Sequence, residues 1–449
     1  MVKIIFYGGV NEIGGNRILI DDAGTKVFFD FGKSFAAERV YFSGRLRPRS
    51  TSTLKDYLEF NLLPKLTGLY AQEEIEETAI PYKEPEYAAI ILSHAHMDHV
   101  EHIALLDPKI PVYLSPQSRL FIEAIEKTTS GADFGEHQYM IFENGDKLTI
   151  DNITVEPMPV DHSILGACGF IIHTSEGTIV YTGDFRLHGP RRDLTQAFIQ
   201  KAIDSKPDLL ITEGTRVMKY DRRRNTMEKH VAAYASKLAN TGKLVLFTQY
   251  SRDLTRLQTF YEAAVKSNRQ MVISTRMAYA LNLLSADKTL SLPNPMQNPN
   301  IQIYFRRKKG GTYSEKDYYI WERQFMAKKV TEDFIRQNQS KIMLNLDVQH
   351  FAELIDIKPE AGSHFIYSMS EPFSEEDVEE RLLHTWLSHF GIIYHRKHAS
   401  GHIQKEQLIA VMKDMAPKKI FPIHTQNPQL FRKMKLPVQI VEQGKEYFL

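Results

Sequence analysis

Four side chains of the kinds that bind transition metals occur close together in the chain. They lie in the segment His94-Ala95-His96-Met97-Asp98-His99. Imidazole and carboxylate groups suit zinc or another first-row metal, and no sulfur ligand is needed. Packing seldom requires so many such side chains in one place. The segment therefore predicts a metallohydrolase with two ions, one bound by His94 and His96 and the other by Asp98 and His99.

A site for two ions needs further ligands, including a carboxylate that bridges them. The sequence offers three candidates: His162 in Val160-Asp161-His162-Ser163, Asp184 where the strand before Gly183 ends, and His424 just past the strand Phe421-Pro422-Ile423. A lone histidine of this kind is usually an ordinary loop or core residue. The cluster at 94–99 favours metal binding for all three.

The elements that position the cluster are visible in the hydrophobic pattern. Residues 88–92 form an apolar run typical of a buried strand. In an extended segment, alternate side chains point to the same side, so His94 and His96 are expected to face together. Asp98 and His99 then fall in the first turn of a helix that runs through His102 and Leu105.

The rest of the N-terminal half is rich in short strands. We predict strands at 3–7, 17–20, 25–29, 170–173, 178–181 and 208–212. Turn residues at 21–24 and 175–177 predict two hairpins.

The pattern changes after about residue 215. Helices are expected at 225–239, 252–267, 376–390 and 403–415, and strands at 243–247, 270–274, 392–394, 420–423 and 438–441. Alternating strands and helices are typical of a parallel, doubly wound sheet. We therefore predict an α/β module inserted into a β-rich hydrolase.

The composition limits the class of protein. The chain has 449 residues, 43% of them apolar and 25% charged, with a formal net charge of +1. Cys168 is the only cysteine, so one chain can form neither a disulfide framework nor a thiolate zinc site. The apolar run at 4–7 is too short for a signal peptide or a membrane span. A cytoplasmic protein without membrane association is expected.

Seven motifs in this order resemble those of the metallo-β-lactamase fold, and specifically of its β-CASP nucleases. The matching residues are Asp30 in Phe29-Asp30-Phe31-Gly32, the 94–99 cluster, His162, Asp184, Glu213 in Thr212-Glu213-Gly214-Thr215, His402 and His424. The resemblance covers nearly the whole chain. It implies an αββα sandwich at 1–215 and 396–449, with a β-CASP α/β domain at 216–395 that contains a parallel sheet.

The resemblance also implies how the metals are bound. Two zinc ions per chain are expected, with manganese as an alternative. One ion would be held by His94, His96 and His162, and the other by Asp98, His99 and His424. Asp184 would bridge the ions, and Asp30 would orient ligands without touching a metal.

One position indicates the branch of the family. The DNA-processing branch has valine where this chain has His424, and histidine there is the RNA-processing pattern. The sequence His398-Ala399-Ser400-Gly401-His402 and the sequence Gly8-Gly9-Val10-Asn11-Glu12-Ile13-Gly14 look most like RNase J. The chain departs from that family in having Thr425-Gln426 where Gly-Glu is usual. It also ends at Leu449, so dimerisation through the C-terminal domain of bacterial RNase J is not expected.

The resemblance implies a ribonuclease with a two-metal mechanism. Asp98 and Asp184 belong to its catalytic centre. His402 is the candidate to protonate the departing 3′-oxygen or to grip the scissile phosphate. Glu213 is expected to orient His402 or a metal-bound histidine, the alternative being an ordinary helix-start residue.

The direction of cleavage depends on a pocket for a 5′-monophosphate. The candidates for phosphate and RNA binding are Arg276, Ser368, Ser370, Ser400, Gly401 and His402. They favour a 5′-to-3′ exonuclease over an enzyme that cuts only internally, although both activities are compatible. Two alternatives stay open, namely a DNA exonuclease of the same superfamily and an RNA-binding subunit with a silent site.

Local charge predicts contact with single-stranded RNA. Eight basic residues lie between 301 and 329: Arg306, Arg307, Lys308, Lys309, Lys316, Arg323, Lys328 and Lys329. Aromatic residues that can stack on bases are interleaved with them: Tyr304, Tyr313, Tyr318, Tyr319 and Trp321. A second basic group comprises Arg216, Lys219, Arg222, Arg223 and Arg224. A homodimer, or association with other RNA-processing proteins, is compatible with this prediction.

Overall fold

The apolar runs of the sequence form the strands of three β-sheets. The structure is a computed structural model that describes residues 1–219, 226–308, 310–369 and 378–449. Ser370, Lys309 and Arg222, Arg223 and Arg224 lie outside the described residues. The strands are β1 Val2–Gly8, β2 Arg17–Asp22, β3 Thr25–Phe29, β4 Ala89–Ile91, β5 Val112–Leu114, β6 Tyr139–Ile141, β7 Leu148–Ile150, β8 Ile153–Pro159, β9 Cys168–Thr174, β10 Gly177–Tyr181, β11 Leu209–Glu213, β12 Val245–Thr248, β13 Gln270–Ser274, β14 Ile301–Tyr304, β15 Lys329–Val330, β16 Ile342–Asn345, β17 His364–Tyr367, β18 Ile393–Arg396, β19 Lys419–Ile423 and β20 Glu446–Phe448.

Helices connect and cover these sheets. The α-helices are α1 Phe35–Tyr41, α2 Thr53–Glu59, α3 Gln72–Ile75, α4 Met97–Val100, α5 Pro116–Thr128, α6 Arg192–Asp204, α7 Glu228–Ala239, α8 Leu254–Lys266, α9 Thr275–Leu284, α10 Ile320–Arg323, α11 Glu332–Gln337, α12 Leu354–Ile357, α13 Val378–His389 and α14 Lys405–Met415. Short 3-10 helices lie at Glu101–Leu105, Lys288–Leu290, Glu315–Asp317, Met326–Lys328, Gln339–Lys341, Val348–Glu353 and Pro428–Met434. Within the described part of the chain, no helix is long and apolar enough to cross a membrane.

Two of the sheets pack face to face. Their strand orders are β20-β1-β2-β3-β4-β5-β6 and β19-β11-β10-β9-β8-β7. Phe6 and Phe29 from the first sheet and Phe170 and Ile211 from the second share one buried cluster. The rings of Phe29 and Phe170 are 5.5 Å apart. Burial of each such side chain contributes about 1.5–3 kcal/mol, so this interface is the core that holds the sheets together.

Helices cover the outer faces of both sheets. Phe121 and Ile122 of α5 belong to the buried cluster that includes the outward side chains of β4 and β5. Phe198 of α6 packs so closely on β9 that a Cβ at Gly169 would lie 2.6 Å from its ring. The expected αββα sandwich is therefore confirmed.

The third sheet lies in the second half of the chain and has the order β15-β14-β13-β16-β12-β17-β18. Every strand pair in it is parallel. Apolar side chains of α7, α8 and α9, among them Val231, Phe260 and Met277, pack on one face. Ile335 of α11, Leu354 of α12 and other residues cover the opposite face. The sheet is doubly wound, as the alternation of strands and helices predicted.

The strand predicted at 438–441 is wrong. Only Val438 forms a bridge there, with Ile420. Pro437 has no N–H to donate to a ladder, and Val438 N donates to Leu436 O at 2.7 Å in a local turn. The chain then crosses to the first sheet, where β20 pairs with β1. β20 was not among the predicted strands.

Candidate metal centre

The predicted metal ligands follow the carboxyl ends of neighbouring strands. Asp30 follows β3, and segment 94–99 follows β4, which is parallel to β3. Asp184 follows β10, Glu213 ends β11 and His424 follows β19, and these three strands are parallel neighbours. Parallel strands place their carboxyl ends at the same edge of a sheet. The strand order therefore gathers residues that are far apart in sequence.

Two of these residues have left-handed backbone conformations. The φ angles are +57° at Asp30 and +50° at His424. Such a conformation costs about 1–3 kcal/mol in a residue other than glycine, and it persists where the surroundings fix it. Here Asp30 N donates to Ile91 O at 2.9 Å, and His424 N donates to Gly9 O at 2.7 Å. The sharp turns after β3 and β19 direct both side chains toward the cluster.

Three histidines form the first group of possible ligands. His96 Nδ1 lies 3.0 Å from His94 Nε2 and 3.1 Å from His162 Nε2. Tetrahedral zinc with bonds of about 2.0–2.1 Å separates its ligand atoms by about 3.3–3.4 Å. The three nitrogen atoms are therefore spaced as ligands of one ion would be.

Asp98, His99 and His424 form the second group. Asp98 Oδ2 lies 3.2 Å from His424 Nε2 and 3.9 Å from His99 Nε2. Because α4 begins at Met97, Asp98 and His99 are in its first turn, as predicted. The helix continues after Val100 as a 3-10 helix.

Asp184 lies between the two groups. Its Oδ2 atom is 3.9 Å from His94 Nε2 and 3.8 Å from His162 Nε2 on one side. On the other side it is 3.3 Å from His99 Nε2 and 3.6 Å from His424 Nε2. Asp184 Oδ1 and His99 Nε2 are buried and have no hydrogen-bond partner among the described residues. Orphaned buried polar atoms between two ligand groups fit a pair of bridged cations.

Outer hydrogen bonds orient the imidazoles. His162 Nδ1 donates to Gly401 O at 2.7 Å, and His99 Nδ1 donates to the Asp30 carboxylate at 2.8 Å. His424 Nδ1 lies 2.8 Å from Thr215 Oγ1. In each ring the other nitrogen is left facing the centre, as metal-bound histidines require. The geometry supports the predicted orienting role of Asp30.

Burial sets the protonation of the first group. Desolvation lowers the pKa of His94 and His162 well below the usual value. It is also the main cause that lowers the pKa of His96 to about 3. All three imidazoles are therefore neutral at neutral pH, which is the form that binds a metal.

The second group has the opposite balance. Burial disfavours charge on His99 and His424, but nearby carboxylates, Asp184 foremost, outweigh it. They raise the pKa of His99 well above the usual value and that of His424 to about 9. Burial also raises the pKa of Asp184, but His424 and His99 outweigh this effect and hold it well below its usual range. Cations bound here would replace and release the imidazole protons.

His402 and Glu213 form a pair beside the two groups. His402 Nδ1 is 3.0 Å from Glu213 Oε2 and 3.7 Å from Asp184 Oδ2. Glu213 Oε1 also accepts a hydrogen bond from Phe185 N at 3.1 Å. The His402 side chain is 21% exposed, whereas Glu213 is buried. This pair is placed to exchange a proton with a bound molecule.

The sequence segments that contain these residues are similar to those of known proteins. Residues 64–247 match the β-lactamase superfamily domain, and residues 393–430 match the Zn-dependent metallo-hydrolase RNA specificity domain. A ribonuclease J of Helicobacter pylori strain J99 is 22% identical over 94% of this chain. These matches support an RNase J-like protein of the metallo-β-lactamase fold, with a β-CASP domain.

Other comparisons define the extent of the β-CASP likeness. The chain spans 56% of the length of the H. pylori relative. A ribonuclease J of Pyrococcus abyssi is 23% identical, and the match covers 100% of this chain and 95% of that protein. A crystal structure of a protein of unknown function from Enterococcus faecalis V583 has the same fold. Its TM-score is 0.79, with 24% identity and full coverage of both chains.

The phosphate-binding residues predicted from the β-CASP resemblance do not all come together. Ser368 is buried and hydrogen-bonded to the Arg256 guanidinium. Ser400 Oγ accepts from His402 N at 3.1 Å. Arg276, however, follows β13, three strand spacings from Ser368 after β17, or about 14 Å. Arg276 instead donates to Thr128 O at 3.1 Å. A pocket that combines Arg276 with Ser368 is not formed.

Segment 399–402 is supported by residues that no sequence motif indicated. Arg256 is fully buried, donates to Glu228 at 2.7 and 2.9 Å, and donates to Ala399 O at 2.9 Å. His188 Nε2 donates to Ser400 O at 2.9 Å. A buried arginine needs a carboxylate partner, but no spacing in the sequence shows that Glu228 is that partner.

The glycines of the N-terminal loop pack on the metal centre. A Cβ at Gly14, where φ is +87°, would lie 2.7 Å from Asp98 Cβ. A Cβ at Gly32 would lie 1.9 Å from Asp98 O. Gly14 and Gly32 therefore let the backbone approach a predicted ligand closely.

Most of the basic side chains between 301 and 329 pair with carboxylates or backbone oxygens of the same chain. Glu332 pairs with Arg307, Glu322 pairs with Lys308, and Tyr318 O accepts from Arg323 Nε at 3.0 Å. Lys328 and Lys329 donate to backbone oxygens. Tyr304 and Tyr318 are buried. Among the basic side chains of this segment that the structure describes, Arg306 and Lys316 have no hydrogen bond or ion pair.

Proposed function

We propose that this β-CASP protein is a zinc-dependent ribonuclease that hydrolyses RNA phosphodiester bonds with two metal ions. The observation that carries the proposal is the position of Asp184 Oδ2, 3.3–3.9 Å from a nitrogen atom of each of four histidines in the two ligand groups. The match to an RNA specificity domain includes His402 and His424, which supports RNA as the substrate. Relatives named ribonuclease J support the same substrate.

The proposed ligands divide as the two groups do. His94, His96 and His162 would hold one zinc ion, and Asp98, His99 and His424 the other, with Asp184 shared. Manganese would suit the same nitrogen and oxygen donors. When bound, two such ions lower the pKa of water and stabilise charge on phosphoryl oxygens.

The side chains of this chain supply the proton chemistry. His402 would donate a proton to the departing 3′-oxygen, because its ring is partly exposed and lies beside the two ligand groups without belonging to either. Glu213 would accept from Nδ1 of His402, which turns Nε2 toward the substrate. His94, His99 and Asp184 are buried, so the wall that they form would keep bulk water from competing with the substrate for the centre.

We further propose 5′-to-3′ removal of nucleotides from RNA with a 5′-monophosphate. The support is the link between His402 and Ser368 through Ala399 and Arg256. A terminal phosphate seated on segment 399–402 would place the first phosphodiester at the metals. Internal cleavage by the same centre is compatible with this assignment.

The domain assignment follows the same proposal. Residues 1–215 and 396–449 form the metallo-β-lactamase module, and residues 216–395 form the β-CASP insertion. The position of the third sheet, β12 to β18, supports these boundaries. Single-stranded RNA as substrate, a cytoplasmic location, and a homodimer or association with other RNA-processing proteins complete the proposal.

The decisive experiment uses end-labelled RNA and matched single-stranded DNA, each with a 5′-hydroxyl, monophosphate or triphosphate. Mononucleotides released from 5′-monophosphate RNA are the expected product. Internal fragments that do not depend on the 5′ end would overturn the direction. Equal cleavage of DNA would overturn the substrate, and no cleavage with two bound metals would favour a silent RNA-binding subunit.

A further inference from the structure

The connections of the third sheet create a crevice between β13 and β16. From β13 the chain runs through α9 to β14, toward one edge of the sheet. From β16 it runs through α12 to β17, toward the opposite edge. In open α/β sheets, ligands bind outside the carboxyl ends of strands at such a switch point. The topology therefore marks this crevice as a candidate ligand site.

A cavity is present at this point. Residues after β13, β14 and β16 line it: Ser274, Thr275, Arg306, Lys308, Asn345 and Asp347. Its volume is about 430 Å³ with the open mouth included. A compact group such as a phosphate suits its inner part, with a sugar at the mouth.

One side of the crevice offers donors for an anion. The Arg306 side chain is exposed and has no hydrogen bond or ion pair in the described part of the chain. The ten-residue helix α9 begins at Thr275, and Ser274 Oγ caps only the N–H of Met277. The N–H groups of Thr275 and Arg276 are left for a ligand. Lys308 and Glu322 neutralise each other.

The opposite side offers acceptors. Asn345 is 4% exposed, and its only hydrogen bond is a long one of 3.4 Å from Nδ2 to Phe247 O. Its side-chain oxygen therefore has no partner among the described residues, although it lines the cavity. Asp347 accepts from Thr248 Oγ1 at 2.8 Å through one oxygen and has the other available. Two acceptors next to an anion site suit the hydroxyl groups of a ribose.

An exposed aromatic ring lies beside one of the lining residues. Lys308 Nζ, which lines the cavity, lies 4.4 Å from the centre of the Tyr319 ring. Tyr319 is 64% exposed, and its ring is nearly parallel to that of Trp321, with centroids 6.2 Å apart. An exposed ring beside a phosphate site is a surface on which a base can stack.

We propose that the crevice between β13 and β16 binds one ribonucleotide, with its phosphate at Arg306 and α9, its ribose at Asn345 and Asp347, and its base on Tyr319. The nucleotide is either free or part of an RNA strand, since both carry the same groups. This inference does not depend on RNA hydrolysis at the metal centre. Binding can therefore be tested whether or not the proposed function is correct.

Trp321 offers a local readout. The chain has two tryptophans, and the Trp386→Phe protein retains only Trp321. We would titrate the metal-loaded Trp386→Phe protein with AMP, 2′-deoxyAMP and a short 5′-hydroxyl RNA. Tryptophan fluorescence would be followed, and the heat of binding would be measured in parallel by titration calorimetry. Arg306→Gln is the test variant. Lys316→Gln is the matched control, because Lys316 is exposed and unpaired in the same segment but does not line the cavity.

Saturable binding of AMP or RNA is expected, weakened at least fivefold by Arg306→Gln and less than twofold by Lys316→Gln. Binding of AMP identifies a free nucleotide as sufficient, and binding of RNA alone identifies a nucleotide within a strand. Equal affinity in the Arg306→Gln protein, or no saturable binding of either probe, would overturn the site. Equal affinity for AMP and 2′-deoxyAMP would overturn the placement of the ribose.

Discussion

Glu213 Oε2 lies 3.0 Å from His402 Nδ1, at the open side of a centre whose other histidines are largely buried. The two residues are 189 positions apart in the chain. The buried carboxylate fixes the ring, and the exposed part of the ring is free to reach a substrate. Asp184 and His424 lie within 4.8 Å of the donor atoms of this pair, but the pair stands outside the two groups that we assign to the metals.

Replacing His402 by alanine should lower kcat by about 10²- to 10⁴-fold, the usual contribution of a proton donor. Zinc content should stay at the wild-type value, because the ligand groups are intact. Glu213→Gln should lower kcat less, because the His402 ring is kept but loses the carboxylate that orients it. Loss of zinc in the His402→Ala protein would show that His402 is a ligand instead.

Replacing Asp184 by alanine should abolish hydrolysis and reduce bound zinc from about two ions per chain. The reason is that both ligand groups lose their shared oxygen. Metal analysis of the purified protein measures the content, and chelation of the wild-type protein should give the same inactive state. Full activity of Asp184→Ala or of His96→Ala would mean that the centre is misassigned.

Replacing Gly14 by alanine should weaken metal binding or activity about 10- to 100-fold, as changes beside a ligand commonly do. The new Cβ would press on Asp98. Gly24→Ala is the matched control, since φ there is +96° but no atom lies within 4 Å of the added Cβ. Both variants share the backbone strain, so an equal loss in both would remove the role assigned to the Asp98 contact.

Replacing Glu228 by glutamine should destabilise the protein by about 3–5 kcal/mol, because it leaves the Arg256 guanidinium buried and unpaired. The pH dependence has the same origin. Burial raises the pKa of Glu228, but Arg256 outweighs this effect and holds it below the usual range. The stabilisation is therefore complete above the unfolded-state pKa of about 4.3 and is lost as the pH falls through the lower folded-state value. Urea unfolding of both proteins between pH 3 and pH 7 would measure it, with Lys237→Gln on the exposed part of α7 as control.

The sequence was sufficient for the local features. The apolar run before His94 predicted β4, turn residues predicted the hairpin between β2 and β3, and the alternation after residue 215 predicted a parallel sheet. These follow from side-chain periodicity and backbone preference, which act over a few residues. The types of the ligands were likewise visible, because imidazole and carboxylate groups are rarely clustered for packing.

Only the tertiary structure decided which of these groups meet. His424 lies 3.2 Å from Asp98 across 326 positions because β19 and β4 present their carboxyl ends at one edge of the sandwich. The order β13-β16-β12-β17 separates Arg276 from Ser368, which no local pattern shows. Of the basic residues between 301 and 329 that the structure describes, acidic and backbone partners occupy all except Arg306 and Lys316. Basic residues can be counted in a sequence. Which of them remain unpaired, and so can bind a ligand, depends on the acidic and backbone partners that the strand order brings close to them.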